Sequence, residues 1–304
     1  MTQFDLTDDQ REIQELARRF TADAITPHAA EWDEHHIFPR DTIRAAAELG
    51  FGGIYVSESS GGIGLGRLEA ALIMEAMAYG CPSTSAFISI HNMAAWMIDS
   101  YGSDALKAAY LPDLLPMARI ASYCLTEAGA GSDAASLKTK AVKDGDHYVV
   151  TGSKQFISGG GENEVYLVMV RTGQEGPKGI SCLVIDKDMP GVSFGAQERK
   201  LGWHSQPTAQ VNFDAVRVPV ANLVGSEGQA SPSPWRASTA AASISVPVRS
   251  AARSAASTKR CNIPRTASNS ANPSPTSRIP SSCWPTWKPS CKPPARSYMP
   301  PPSK

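Results

Sequence analysis

The chain has 304 residues, room for two domains or three small ones, with 42% hydrophobic and 19% charged residues. Its formal net charge of +0 hides a division: residues 1–229 hold 18 Lys and Arg against all 29 acids, a net of −11, while residues 230–304 hold 11 basic residues and no acid. No apolar run approaches the roughly 20 residues that span a bilayer, and six scattered cysteines with neither a C-x-x-C pair nor metal-ligand spacing exclude a zinc site and a disulfide framework.

Residues 1–118 read as helical. Thr7 ahead of Asp8 and Asp9 places an N-cap before acids that complement the helix dipole, and Ile13, Leu16, Ala17 and Phe20 then recur at helical spacing. The early residues are acidic and lack an apolar stretch, unlike a signal or transit peptide, and together with reduced thiols they predict a cytoplasmic protein. A second helix is predicted from about Asp41 to Leu49, stopped at Gly50, and a third from about Arg67 to Tyr79 after a loop at Gly61, Gly62 and Gly64. Ala86 to Ser100 is strongly apolar and predicts a buried helix. Ser103 to Leu115 predicts one more, with Pro112 kinking or breaking it.

After Ala118 the period changes. Ile120–Leu125, His147–Thr151, Val165–Arg171, Ile180–Ile185 and Gln210–Val216 are short strand candidates rich in β-branched and aromatic residues, with a hairpin turn at Asp144, Gly145 and Asp146. Strands at this spacing predict a small barrel or sandwich. The expected fold class is therefore α+β, an N-terminal α-helical domain (1–118) followed by a small β-barrel domain (119–229).

From Ala230 to Lys304 there is no Asp, Glu, Gly, Leu or Phe, but 14 of the 23 prolines and 17 serines. Such a composition has no periodicity and cannot bury a core, which predicts disorder. A basic tail on an acidic body also raises a nucleic-acid-binding arm as one reading.

The string Tyr123, Cys124, Leu125, Thr126, Glu127, Ala128, Gly129, Ala130, Gly131, Ser132, Asp133 carries the strongest chemical signal. A strand delivers Thr126, whose hydroxyl and backbone suit the polar edge of a ring system. Gly129 and Gly131 let a ligand approach the backbone, whose N–H groups can form an anion-binding nest, and Ser132 can hydrogen-bond a phosphate oxygen. A Gly-Ala-Gly-Ser loop alone is often only a turn. The full string resembles the flavin-binding signature of the acyl-CoA dehydrogenases. Gln155, Phe156, Ile157 and Ser158 resemble that family's second signature, and the segments Lys200–Thr208 and Phe213–Pro219 resemble parts of its middle domain. Ile88 to Ser100, Gly152-Ser153, Gly179 to Cys182 and Gly225 to Gln229 most resemble the branch that acts on isobutyryl-CoA.

The resemblance covers residues 1–229. It implies FAD as cofactor, with Tyr123, Cys124, Leu125, Thr126, Gly131, Ser132, Phe156, Ile157 and Ser158 contacting it and Ser132 also contacting the acyl-CoA. It implies α,β-dehydrogenation of a short branched acyl-CoA in valine breakdown. The partners it implies are an electron-transferring flavoprotein and, in the family, a homotetramer, with no nucleic acid and no membrane. His91 and His204 read as a core or interface histidine and a loop histidine rather than as catalysts.

The family's usual continuation after Gln229, GLDGGRINI, yields Ala237 to Ile244 of this chain when GC-rich codons are read one base out of frame. Cys261 to Pro273 is likewise compatible with a shifted LQYTQDRKQFGKP. Residues from about Ala230 onward therefore read as a frameshift product replacing the family's C-terminal four-helix domain, which carries its catalytic Glu. No catalytic residue is named, since Glu127 and Asp133 lie in the flavin loop. Two alternatives stay open: a non-catalytic flavin- or CoA-binding remnant, and an acyl-CoA oxidase-like flavoenzyme.

Overall fold

The computed structural model describes residues 5–229. The segment 230–304, with its expected disorder and its frame-shifted reading, lies outside the described residues.

The first part is helical. Helix α1 (Asp8–Phe20) opens on a capping box: Thr7 Oγ1 accepts the Gln10 N–H, and Gln10 Oε1 accepts the Thr7 N–H. One π-helical turn (Thr21–Ile25) continues it, and α2 (Ala29–Glu34) follows. Helix α3 (Arg40–Glu48) stops before Gly50, whose φ of +83° is the left-handed exit that favours glycine. Helices α4 (Arg67–Gly80) and α5 (Pro82–Tyr101) are buried over most of their circumference, which explains their nearly unbroken apolar sequence.

Helix α6 (Asp104–Leu114) runs through Pro112 rather than ending there. Beyond the ring the Leu115 N–H still reaches Leu111 O at 2.9 Å, so the proline costs one bond without terminating the helix.

The second part is one sheet of eight strands: β1 (Ala121–Cys124), β2 (Lys140–Asp144), β3 (His147–Ser158), β4 (Val165–Arg171), β5 (Ile180–Asp186), β6 (Val192–Gln197), β7 (Thr208–Pro219) and β8 (Leu223–Val224). The order is β6-β7-β3-β2-β4-β5-β8, with β1 added in parallel to β4. Among the described residues the pairing path ends at β6 and β8 instead of closing, so the expected barrel is realised there as an open-ended sheet folded around its own core.

Strands β4 and β5 show why the two parts pack together. Tyr166, Val168, Val170, Leu183 and Ile185 face the core inside the sheet. Their alternate neighbours Val165, Leu167, Met169, Cys182 and Val184 face outward, against Met93, Met97 and Ile98 of α5 and Leu106, Tyr110 and Leu114 of α6. Burial on both faces makes these strands read as continuous apolar runs, without polar alternation. Polar links reinforce the junction: Arg40 Nη1 lies 2.9 Å from Glu164 Oε1, and Asp186 accepts the Tyr110 hydroxyl at 3.0 Å and pairs with Arg119.

Candidate flavin and acyl-CoA site

The glycine-containing loop leaves β1 at Cys124 and is closed by reciprocal backbone hydrogen bonds between Glu127 and Ala130. The second segment is the end of β3. Gln155 N–H donates to Thr126 O at 2.8 Å, so the two stretches, 29 residues apart in sequence at this bond, lie side by side.

Along β3 the register to β7 slips between Lys154 and Ile157, where β3 spends three residues against two on β7. This is a β-bulge, and it turns Phe156 out of the ladder. Phe156 has φ +58° and is 60% exposed, an unusual combination for a large aromatic residue. On either side Lys154 and Ile157 point inward and are fully or almost fully buried.

The nine residues expected at a cofactor divide by side-chain direction. Gly131, Ser132 and Phe156 are exposed, and Leu125, Thr126 and Ser158 are half-buried. Cys124 and Ile157 turn into the sheet core, so their side chains are withdrawn from the surface. Burial pushes the Cys124 thiol pKa up, as expected of an inert core thiol. Tyr123 packs toward the helical part, and its buried hydroxyl has no hydrogen-bond partner among the described residues. Ser158 Oγ accepts from Gln206 Nε2 at 2.5 Å.

The loop itself is open. A Cβ built on Gly129 or Gly131 meets no heavy atom within 4 Å, and neither residue has a left-handed φ. Nothing inside the described chain therefore requires glycine at either position. The N–H groups of Gly129, Gly131 and Ser132 donate to no acceptor among the described residues. Bare N–H groups beside an exposed aromatic ring fit a large, flat, anionic ligand such as a flavin dinucleotide.

Beneath the loop lies a group that sequence reasoning did not single out. Lys154, with a fully buried side chain, donates through Nζ to Glu127 Oε1 at 2.8 Å and to Leu125 O at 3.1 Å. Glu127 also accepts the N–H groups of Lys138 and Thr139 at 2.6 and 2.9 Å. Burial pushes the Glu127 carboxyl upward. The Lys154 and Thr139 hydrogen bonds, the Lys154 charge and the Lys138 N–H outweigh burial, so it stays below the ordinary carboxylate range. Burial pulls Lys154 below the ordinary lysine range, against the opposing pull of Glu127. Glu127 is thus ionised and engaged, and it is not free to act as a base. Asp133 is taken up by a hydrogen bond from Ser136 Oγ.

The two histidines are also engaged. His91 is buried between Leu114 O and the Ala121 N–H. His204 sits in the loop before β7, 2.8 Å from Lys200 O through Nε2, and stacks on His36 with ring centroids 4.7 Å apart.

Comparison with known proteins agrees with this architecture. The model of the acyl-CoA dehydrogenase N-terminal domain matches residues 7–118, and that of the middle domain matches residues 122–216. The solved acyl-CoA dehydrogenase of Geobacillus kaustophilus is 30% identical with a TM-score of 0.80, over 88% of this chain and 71% of that one. The chain belongs to the acyl-CoA dehydrogenase family.

Within the family it is 60% identical over 225 residues to a mitochondrial isobutyryl-CoA dehydrogenase of Dictyostelium discoideum, and 55% identical over 224 residues to the one of Bos taurus. Each match takes in 74% of this chain and 54% of the relative, so the chain spans about half the length of the curated relatives it matches. Among the described residues no helix is long and apolar enough to cross a membrane, and no group of His, Cys, Asp and Glu could hold a metal ion.

Proposed function

We propose that residues 5–229 form the flavin- and acyl-CoA-contacting part of an FAD-dependent enzyme that dehydrogenates a short branched acyl-CoA, with isobutyryl-CoA as the favoured substrate. The observation that carries this reading is the exposed, left-handed Phe156 set beside a loop whose N–H groups are unpaired. The identities to isobutyryl-CoA dehydrogenases support the choice of substrate.

In this reading Phe156 would lie against the flavin ring, Thr126 would hydrogen-bond its polar edge, and Ser158 would bond near its redox edge. The N–H groups of Gly129, Gly131 and Ser132 receive phosphate oxygens, and the Ser132 hydroxyl also serves the acyl-CoA. FAD, when bound, accepts the hydride that leaves the β-carbon as the α-proton is removed. That proton needs a free carboxylate. The resemblance puts the family's base in its C-terminal domain, and residues 230–304 hold no acid, so in this reading that carboxylate is missing from the chain. In this reading the chain as given binds flavin but does not turn over on its own.

The test is an absorbance scan and FAD titration of the purified chain, followed by isobutyryl-CoA with an artificial electron acceptor. Bound flavin without turnover supports the reading. No flavin binding, or turnover by this chain alone, overturns it.

Three further parts are proposed with it. An electron-transferring flavoprotein is the electron acceptor, and the homotetramer is the assembly of the intact family, which a chain lacking the C-terminal domain is not expected to complete. The location is cytoplasmic, supported by Cys81, Cys124 and Cys182 being buried and unpaired, although both relatives above are named as mitochondrial. Subcellular fractionation decides the last point. The segment from about Ala230 is proposed to be read out of frame. The family match over only 74% of the chain supports this, and resequencing the gene across the Gln229 codon tests it.

A further inference from the structure

We infer that Lys154 and Glu127 are positioning residues that set the spacing of the two flavin-facing segments, and that the pair acts on the ligand only through the backbone it holds. The inference rests on the flavin reading above. It concerns a buried ion pair that lies beneath the loop instead of facing it.

Lys154 stands one residue before Gln155, at the start of the bulge that turns Phe156 outward. Its ammonium reaches across to the other segment, bonding Leu125 O and Glu127 Oε1. Glu127 closes the loop from below by taking the N–H groups of Lys138 and Thr139, where the chain returns toward β2. Leu125, Glu127, Lys138 and Thr139 are thus gathered on one pair of charges, with the exposed Gly129 to Ser132 span held between them.

A buried ion pair is a poor way to gain stability alone, because desolvation offsets most of the attraction and an apolar pair of similar volume often does as well. Its geometric effect is different. Directional bonds from two charged groups fix where Thr126 and Phe156 stand relative to each other, and hydrophobic packing would leave that spacing loose.

The test uses the full chain and three variants, Lys154→Met, Glu127→Gln and the double substitution. Each single change leaves one charge buried alone and lowers Tm. The double change removes both charges and recovers much of that Tm. FAD affinity, read by flavin fluorescence, is expected to stay weakened by about tenfold or more in the double variant, a change worth about 1.4 kcal/mol per tenfold. Its bound-flavin absorbance bands broaden toward those of free FAD. In the ligand-free chain, amide exchange at Lys138 and Thr139 quickens in Glu127→Gln.

If the double variant recovers Tm and binds FAD as the unaltered chain does, the pair is structural only and the inference is overturned. Unchanged exchange at Lys138 and Thr139 overturns it as well. If the unaltered chain binds no FAD, the flavin reading itself falls and takes this inference with it.

Discussion

His91 and Ala121 join the helical and sheet parts through one buried hydrogen bond: His91 Nδ1, deep in α5, accepts the N–H of the first residue of β1 at 3.0 Å. The other ring nitrogen lies 2.9 Å from Leu114 O and so carries the proton. One neutral imidazole thereby ties the end of α6 to the strand that delivers the glycine loop.

This tie predicts a pH dependence. Burial pushes the His91 pKa down to about 4 from 6.5. The unfolded chain therefore takes up the proton first, and the stabilisation is complete above about pH 6.5 and lost as pH falls toward 4 and below. The expected loss by pH 4.5 is about 2–3 kcal/mol. Asp99 and Glu127, held below their ordinary range, lose their contribution only at lower pH, as the carboxylates themselves protonate. Urea unfolding at pH 7 and pH 4.5 should show the decline in the wild type and a flatter response in His91→Gln. Equal slopes would refute the assignment.

Phe156→Gly separates stability from ligand binding. Glycine accepts φ +58° without strain, and little packing is lost at a side chain 60% exposed. Thermal stability is expected to hold or rise by about 1 kcal/mol, the usual penalty of a left-handed non-glycine residue. FAD binding should weaken in the same variant. A clear fall in Tm with unchanged FAD affinity would mean that Phe156 is a core residue.

Two glycines give a matched pair. Gly131→Ala adds a methyl that meets no heavy atom within 4 Å, so the fold should tolerate it while FAD affinity falls. Gly52→Ala places its Cβ 2.0 Å from Leu115 O, which must move, so this variant should lose about 1–3 kcal/mol in denaturant unfolding. Equal behaviour of the two would remove the ligand argument for Gly131.

Arg171 donates to four carbonyls: Leu137 and Ala135 on one side, Gln174 and Gly176 on the other. Arg171→Met should release both stretches, costing about 2–3 kcal/mol and opening residues 172–179 to proteolysis. An unchanged cleavage pattern would show that the loops hold without it.

Asn92 fills three buried roles, accepting the Ile54 N–H and donating to Phe51 O and Ile88 O. Asn92→Leu strands a buried donor and acceptor and is expected to cost about 2–4 kcal/mol in urea. A loss below about 1 kcal/mol would mean that water replaces the amide.

Much of this was legible in the sequence where local physics is strong. The Thr7 cap, the glycine stop of α3, the apolar α5 and the Gly145 turn follow from capping, backbone freedom and period. Strands β2 and β6 were not legible, because residues such as Lys140 and Lys143 are exposed and the burial pattern hardly alternates. Pro112 left open in the sequence whether α6 kinks or breaks there, and the structure decides against a break, since one lost bond does not end a helix whose neighbours are packed.

The sequence by itself determined the α-then-β order, the family and the two segments that carry the candidate site. Only the tertiary structure decided which side chains in those segments face outward. Strand parity and one bulge send Cys124 and Ile157 into the core and Phe156 into the open. The partnership of Lys154 with Glu127 is equally a tertiary fact. Hydrogen bonds between residues 27 apart depend on how β1 and β3 come together, and no local propensity encodes that meeting.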